Sequence, residues 1–110
     1  MNVIFHIDES AKWPMVLNNV QHYHEWLTAH RVNAQVEILA NGDAVTAAVQ
    51  GSKVDLSAVA NGNTNVSVCA NSLSQRHIDQ DSLQPGLHVV PVGVIELAQK
   101  QQAGFAYIRP

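Results

Sequence analysis

The apolar positions of this chain run in two rhythms. Val3-Ile4-Phe5-His6-Ile7 is a nearly unbroken run of strand formers, the pattern of a strand buried on both faces of a parallel sheet. Asp8 and Glu9 end it with charge. Trp13-Pro14 then predicts the start of a helix, because proline's fixed φ and missing N–H suit the first helical position. Trp13, Val16, Leu17, Val20, Tyr23 and Leu27 recur at helical spacing and give that helix one apolar stripe. Residues 32–40, with Val36, Ile38 and Leu39, form a second strand. Asn41-Gly42-Asp43 is a turn, and Asp43 is placed to cap a short helix through Val49.

Gly51-Ser52-Lys53 separates that helix from a weaker helical stretch over 54–59, and Asn61-Gly62-Asn63 is a strong turn. The strand rhythm returns in Val66-Ser67-Val68-Cys69, followed by a helix over about 71–77. Residues 78–86 are polar and irregular, with Pro85-Gly86 as their stop. Leu87-His88-Val89-Val90 is a fourth strand. Pro91-Val92-Gly93 leads into a helix through Gln102, which Gly104 terminates. Phe105-Ala106-Tyr107-Ile108 is a fifth strand. Strict alternation of strand and helix implies one α/β domain over residues 1–110, a parallel sheet between two helical layers. Ligands of such folds collect at the C-terminal ends of the strands. Three strand ends carry polar chemistry: His6 with Asp8, Asn41 with Asp43, and Cys69 with Asn71 and Ser72.

Composition narrows the function classes. The chain has 46% hydrophobic and 14% charged residues, so it folds, and its low charge is compatible with surface covered in an oligomer. A net charge of −3 without a basic run disfavours nucleic acid and anionic membranes as partners. No apolar run approaches a membrane span, and the N-terminal residues lack the basic start and cleavage site of an export signal. With a single cysteine, this points to a reducing cytoplasm.

Cys69 is the sharpest chemical candidate. At the end of a strand and facing a helix N-terminus, its thiolate would be favoured by backbone N–H groups and the helix dipole. The plain alternative is a buried filler. Asn71 and Ser72 read as a helix cap that also shapes the turn around the sulfur. His6 could orient or deprotonate the thiol if the first strand lay beside the cysteine strand; otherwise it is a strand-end histidine with a local bond. Gly93 is either a structural turn or a place where backbone approaches the site. His22 and His24, two residues apart on a helix, point in different directions. His30, His77 and His88 show no ligand spacing, so no metal is expected. The glycines follow neither nucleotide fingerprint, and no organic cofactor is expected either.

In their order and spacing these pieces resemble the DsrE/DsrF-like family, which includes small sulfur-relay proteins and uncharacterised relatives. The resemblance rests on Phe5-His6-Ile7-Asp8, Trp13-Pro14 with Asn18-Asn19, and Asn41-Gly42-Asp43-Ala44-Val45. It continues in Cys69-Ala70-Asn71-Ser72-Leu73, Pro91-Val92-Gly93-Val94 with Glu96-Leu97, and Gly104-Phe105-Ala106-Tyr107-Ile108. It implies a three-layer α/β/α fold whose five parallel strands run in the order 2-1-3-4-5. The first and third strands would then be neighbours, with His6, Asp8 and Cys69 in one cleft.

By the same resemblance Cys69 would carry sulfur as a persulfide, with His6 assisting proton movement and Asp8 fixing its tautomer. Asn41, Asn71, Ser72 and Gly93 would line the site. Sulfur-relay members follow the cysteine with small residues and paired arginines. Here Arg76 matches one arginine and Gln75 stands at the other place, so the chain sits nearer the uncharacterised branch. The implied assembly is a homo-oligomer, trimer or hexamer, exchanging sulfur with donor and acceptor proteins. A small-ligand-binding module with Cys69 as a wall residue, and a redox sensor oxidised at Cys69, are the other two readings that the residues allow.

Overall fold

The computed structural model describes residues 1–110. Its five strands are β1 (Val3–Ile7), β2 (Val36–Ala40), β3 (Thr64–Cys69), β4 (His88–Val90) and β5 (Ala106–Ile108). Four α-helices join them: α1 (Trp13–Ala29), α2 (Leu56–Ala60), α3 (Ala70–Gln75) and α4 (Gly93–Gln102). Every strand pair is parallel.

The strands lie in the order β4-β3-β2-β1-β5, which corrects the expected 2-1-3-4-5. β2, not β1, borders the cysteine strand, and β1 pairs with β2 and β5. Burial gives the physical reason. β1 and β2 are buried at all five of their positions and take central places, whereas β4 and β5 have only three residues each and leave burial at the two edges.

This order also distributes the helices. The chain steps from β1 to β2 to β3 to β4 in one direction, then returns past the whole sheet to β5. Right-handed crossovers put the connections of the outward steps on one face and that of the return on the other. The first face is accordingly thick. Val3, Phe5 and Ile7 of β1 and Val36, Ile38 and Ala40 of β2 pack there with Trp13, Val16 and Val20 of α1, Leu56 of α2 and Leu73 of α3. The second face has α4 alone, seated on Ile4 and Leu39 through Leu97, with Phe105 beside it.

Local expectations fare unevenly. Pro14 does stand in the first turn of α1, and the indole N–H of fully buried Trp13 donates to the Ala44 carbonyl at 3.0 Å. The short helix after β2 is a 3-10 helix, Gly42–Ala48, and Asp43 does not cap it; its carboxylate accepts from the Ser10 N–H. The polar stretch 78–86 is tied down by Gln84. Its buried amide accepts from the N–H groups of Leu56 and Ser57 and donates to the carbonyls of Ala47, Val49 and Val54. That single side chain ties three backbone segments together.

Candidate functional site around Cys69

Because strand side chains alternate between faces, His6, Leu39 and Ser67 point to the side covered by α4, and Cys69 follows Ser67 at the next position on that side. The register pairs Ala40 with Val68, so Asn41 follows opposite Cys69 at the C-terminal edge. β2 thus places Asn41 between the histidine strand and the cysteine strand.

Cys69 is both the last residue of β3 and the N-cap of α3. The helix begins one residue earlier than expected, at Ala70, so Asn71 and Ser72 lie in its first turn and do not cap it. That shift turns their N–H groups toward the sulfur. A second helix approaches from above. The Gly93 N–H, first in α4, donates to Cys69 Sγ at 3.3 Å. A Cβ on Gly93 would stand 3.1 Å from the Cys69 Cβ, 3.3 Å from Leu39 Cδ1 and 3.4 Å from the Asn41 Cβ. Glycine lets the backbone come close there, the second of the two roles it had in the sequence. Ser72 is buried, and its Oγ accepts from the Gly42 N–H at 2.8 Å, leaving its own hydrogen free to donate. Gly42 reaches that position with a left-handed φ of 55°.

Burial is the largest influence on the thiol and pushes its pKa up. The Ser72 hydroxyl and the N–H groups of Ser72, Gly93 and Asn71 oppose it and together win, holding Cys69 below the ordinary thiol range. At 5% exposure the residue is not open surface, so access is narrow.

His6 has both ring nitrogens engaged, and neither partner is Cys69. Nδ1 lies 2.6 Å from Tyr107 Oη, and Nε2 lies 2.8 Å from Asn41 Oδ1. With β2 intervening, direct deprotonation of the thiol by His6 is not what this geometry provides. Asp8 also departs from its expected place: it is gripped by Arg109 Nη2 at 2.9 and 3.1 Å, so Tyr107 and Asn41, not Asp8, set the tautomer of His6. Sequence reasoning missed Tyr107 and Arg109. Each lies 101 residues from its partner, and only knowledge that β5 borders β1 would have pointed to them.

A second ionisable group lies under the other end of α4. Glu37 is 2% exposed, with Lys100 Nζ at 3.2 Å from one carboxylate oxygen and no partner for the other. Burial first, then the neighbouring Glu96 carboxylate, raise its pKa to about 7 against the opposing pull of Lys100 and Ser67. His22 lies beside Glu25 and His24 on Thr64, while His88 pairs in register with Ser67 on edge strand β4. The largest cavity, about 680 Å³, opens between α1 and α2 and is lined by Leu17, Val20, His24, Val59 and Thr64 among others. None of the four cavities includes Cys69 in its lining.

The fold is a parallel α/β sheet with one cysteine set between the starts of two helices. The chain belongs to the DsrE/DsrF-like family, whose family model matches residues 19–110. Among solved structures it is similar to a protein of unknown function, MTH1491 of Methanobacterium thermoautotrophicum. The two share 30% identity and superpose with a TM-score of 0.88 over 99% of this chain and 98% of that one. No curated protein matches the chain. No helix is long and apolar enough to cross a membrane.

Proposed function

We propose that this protein is a sulfur carrier of the sulfurtransferase kind, with Cys69 as the acceptor. The thiolate attacks the outer sulfur of a donor persulfide, R–S–SH. A new S–S bond forms to Cys69, the donor's S–S bond breaks, and R–S⁻ leaves. The product is a Cys69 persulfide, and no external oxidant or reductant is consumed. Attack by an acceptor thiolate on the outer sulfur then returns Cys69 as thiolate. The observation that carries this reading is geometric: Cys69 caps α3, and the Gly93 N–H at the start of α4 donates to its sulfur at 3.3 Å, an arrangement that favours the thiolate against burial. Membership of the DsrE/DsrF-like family supports it independently.

Asn71, Ser72 and Gly93 act as anion donors to the thiolate. The reading needs no metal or organic cofactor. A homo-oligomer, trimer or hexamer, is part of it, supported by exposed Val92, Val94 and Ile95 around the start of α4 and by Tyr107 and Ile108 on edge strand β5. So is a reducing cytoplasmic setting, where a lone thiol stays free.

The test is mass spectrometry of the whole protein after exposure to cysteine persulfide. The expected result is a gain of one sulfur on Cys69, removed by a thiol. A gain of oxygen after peroxide with no gain of sulfur would replace the carrier with a redox sensor. No gain in either experiment leaves Cys69 structural.

A further inference from the structure

The hydrogen-bond array beside Cys69 has a direction. Asn41 Oδ1 can only accept, so the His6 nitrogen 2.8 Å from it, Nε2, must be the one that carries a proton. In the neutral ring Nδ1 is then a bare acceptor, matched to the Tyr107 O–H at 2.6 Å. The run of donors is therefore Tyr107 to His6 to Asn41. It ends by committing the oxygen of the Asn41 amide to the β1 side. The NH₂ arm of that planar fork is not used by His6, and Asn41 follows the register pair Ala40–Val68 to stand opposite Cys69, the Cβ atoms of the two lying 3.4 and 3.1 Å from where a Cβ on Gly93 would be. The buried imidazole, 8% exposed, has no other partner to turn to, so the amide is held one way round.

The geometry points to Asn41 as the residue that steadies the transferred sulfur on Cys69: its Nδ2 donates to the outer sulfur of a Cys69 persulfide, with His6 and Tyr107 as positioning residues that orient the amide. This rests on the persulfide reading and adds to it a division of labour. The Gly93, Asn71 and Ser72 donors serve the sulfur of Cys69 itself, whereas a persulfide places its charge one atom further out. A carrier needs a donor at that second position, or the outer sulfur is held no better than on a free thiol. The nearby cations are already engaged. Arg109 is paired with Asp8, and Arg76 donates to the Ser72 carbonyl at 3.2 Å. A neutral amide suits a carrier, because a full positive charge would hold the persulfide anion against release.

The experiment loads the full-length protein with cysteine persulfide and follows the half-life of the extra sulfur against glutathione. Asn41→Asp keeps an acceptor for His6 but replaces the NH₂ with a negative oxygen, so Asn41→Ala, which removes the donor without adding charge, is read beside it. Both should shorten the half-life roughly tenfold or more, the scale of one hydrogen bond to a charged acceptor. Tyr107→Phe, which removes only a hydroxyl, should shorten it by a smaller factor and shift the imidazole ¹⁵N signals of His6. Those signals in the parent should show a proton on Nε2 in the neutral ring. If a loaded parent and a loaded Asn41→Asp variant lose sulfur at the same rate, the assignment is overturned while the carrier reading stands. A neutral His6 protonated on Nδ1 overturns it as well, without any sulfur chemistry. A parent that never gains sulfur overturns the carrier reading and this assignment with it.

Discussion

Cys69 and Glu37 stand under opposite ends of one helix, on the same face of the same sheet, and both are nearly sealed from water. Burial penalises the anion of each, yet their acidities move in opposite directions. The difference lies in what α4 brings to each end. Its N-terminus delivers a backbone N–H to the sulfur, and the first turn of α3 adds more from the other side. Its last turn delivers Lys100, but Glu96, one turn back along the helix, brings a negative charge that undoes much of what the lysine offers. One end of the helix is built to hold an anion and the other to hold a proton. A low-dielectric site amplifies whichever partner it is given.

The sharpest way to break the contrast is to remove the thiol. Cys69→Ser should abolish sulfur gain outright while leaving the fold intact, as judged by an unchanged far-UV spectrum. Residual loading would mean that another group accepts sulfur.

Glu37→Gln tests the other end and has a definite sign. The carboxyl keeps its proton in the fold to about pH 7, whereas an unfolded glutamate releases it near pH 4.3. Its effect is therefore absent below the unfolded pKa. As pH rises from there to about 7, stability drains away, and above that the loss is constant. The glutamine variant should lack this decline. It should gain about 1–3 kcal/mol on the parent at pH 8 relative to pH 4, an order of magnitude set by the size of the shift. Urea denaturation at the two pH values measures it. A parent that gains stability relative to the variant across that range would show that Lys100 dominates and the direction assigned to Glu37 is wrong.

Gly93→Ala should disturb the sulfur end. Its Cβ would meet Cys69, Leu39 and Asn41 at 3.1–3.4 Å, so these neighbours and the start of α4 must give by a few tenths of an ångström. The cost expected for such overpacking is about 1–3 kcal/mol, with the thiol titrating higher as the N–H at 3.3 Å withdraws. Iodoacetamide reactivity against pH reads the second effect. An unmoved midpoint would mean that Gly93 only makes room. The smallest change belongs to Ser72→Ala, which removes one hydroxyl donor and leaves the backbone donors in place. The midpoint should rise, and by less than in Gly93→Ala, because a single hydroxyl is lost. In the parent it should lie below the roughly 8.5 of free cysteine.

Much of this molecule is readable one segment at a time. The buried run at β1, the proline-led helix with its stripe from Trp13 to Leu27, and the glycine stop after α4 are local patterns, and the folded chain keeps them. So is the placement of Cys69 at a junction of strand and helix, since alternating valines and a following turn lie within eight residues of it. Parallel pairing follows as well, because helices alternate with strands throughout.

Strand order does not follow from such patterns, and the site depends on it. Local periodicity says that a strand is buried but not beside which other strand, and that choice is made by long-range packing of the whole sheet. Seating β2 between β1 and β3 parted His6 from Cys69 and gave the histidine Asn41 as its partner, and β5 beside β1 supplied Tyr107. Glu37 makes the same point from the other side. In a strand that alternates its faces, a lone glutamate reads as the solvent side. It is buried because the return to β5 lays α4 across that face. The sequence by itself determined the elements and put a thiol at a helix start, since backbone propensity and side-chain period act over a few residues. The tertiary structure decided which donors meet that thiol and which carboxyl is denied water, because those partners come from strands and helices distant in the chain and only packing brings them together.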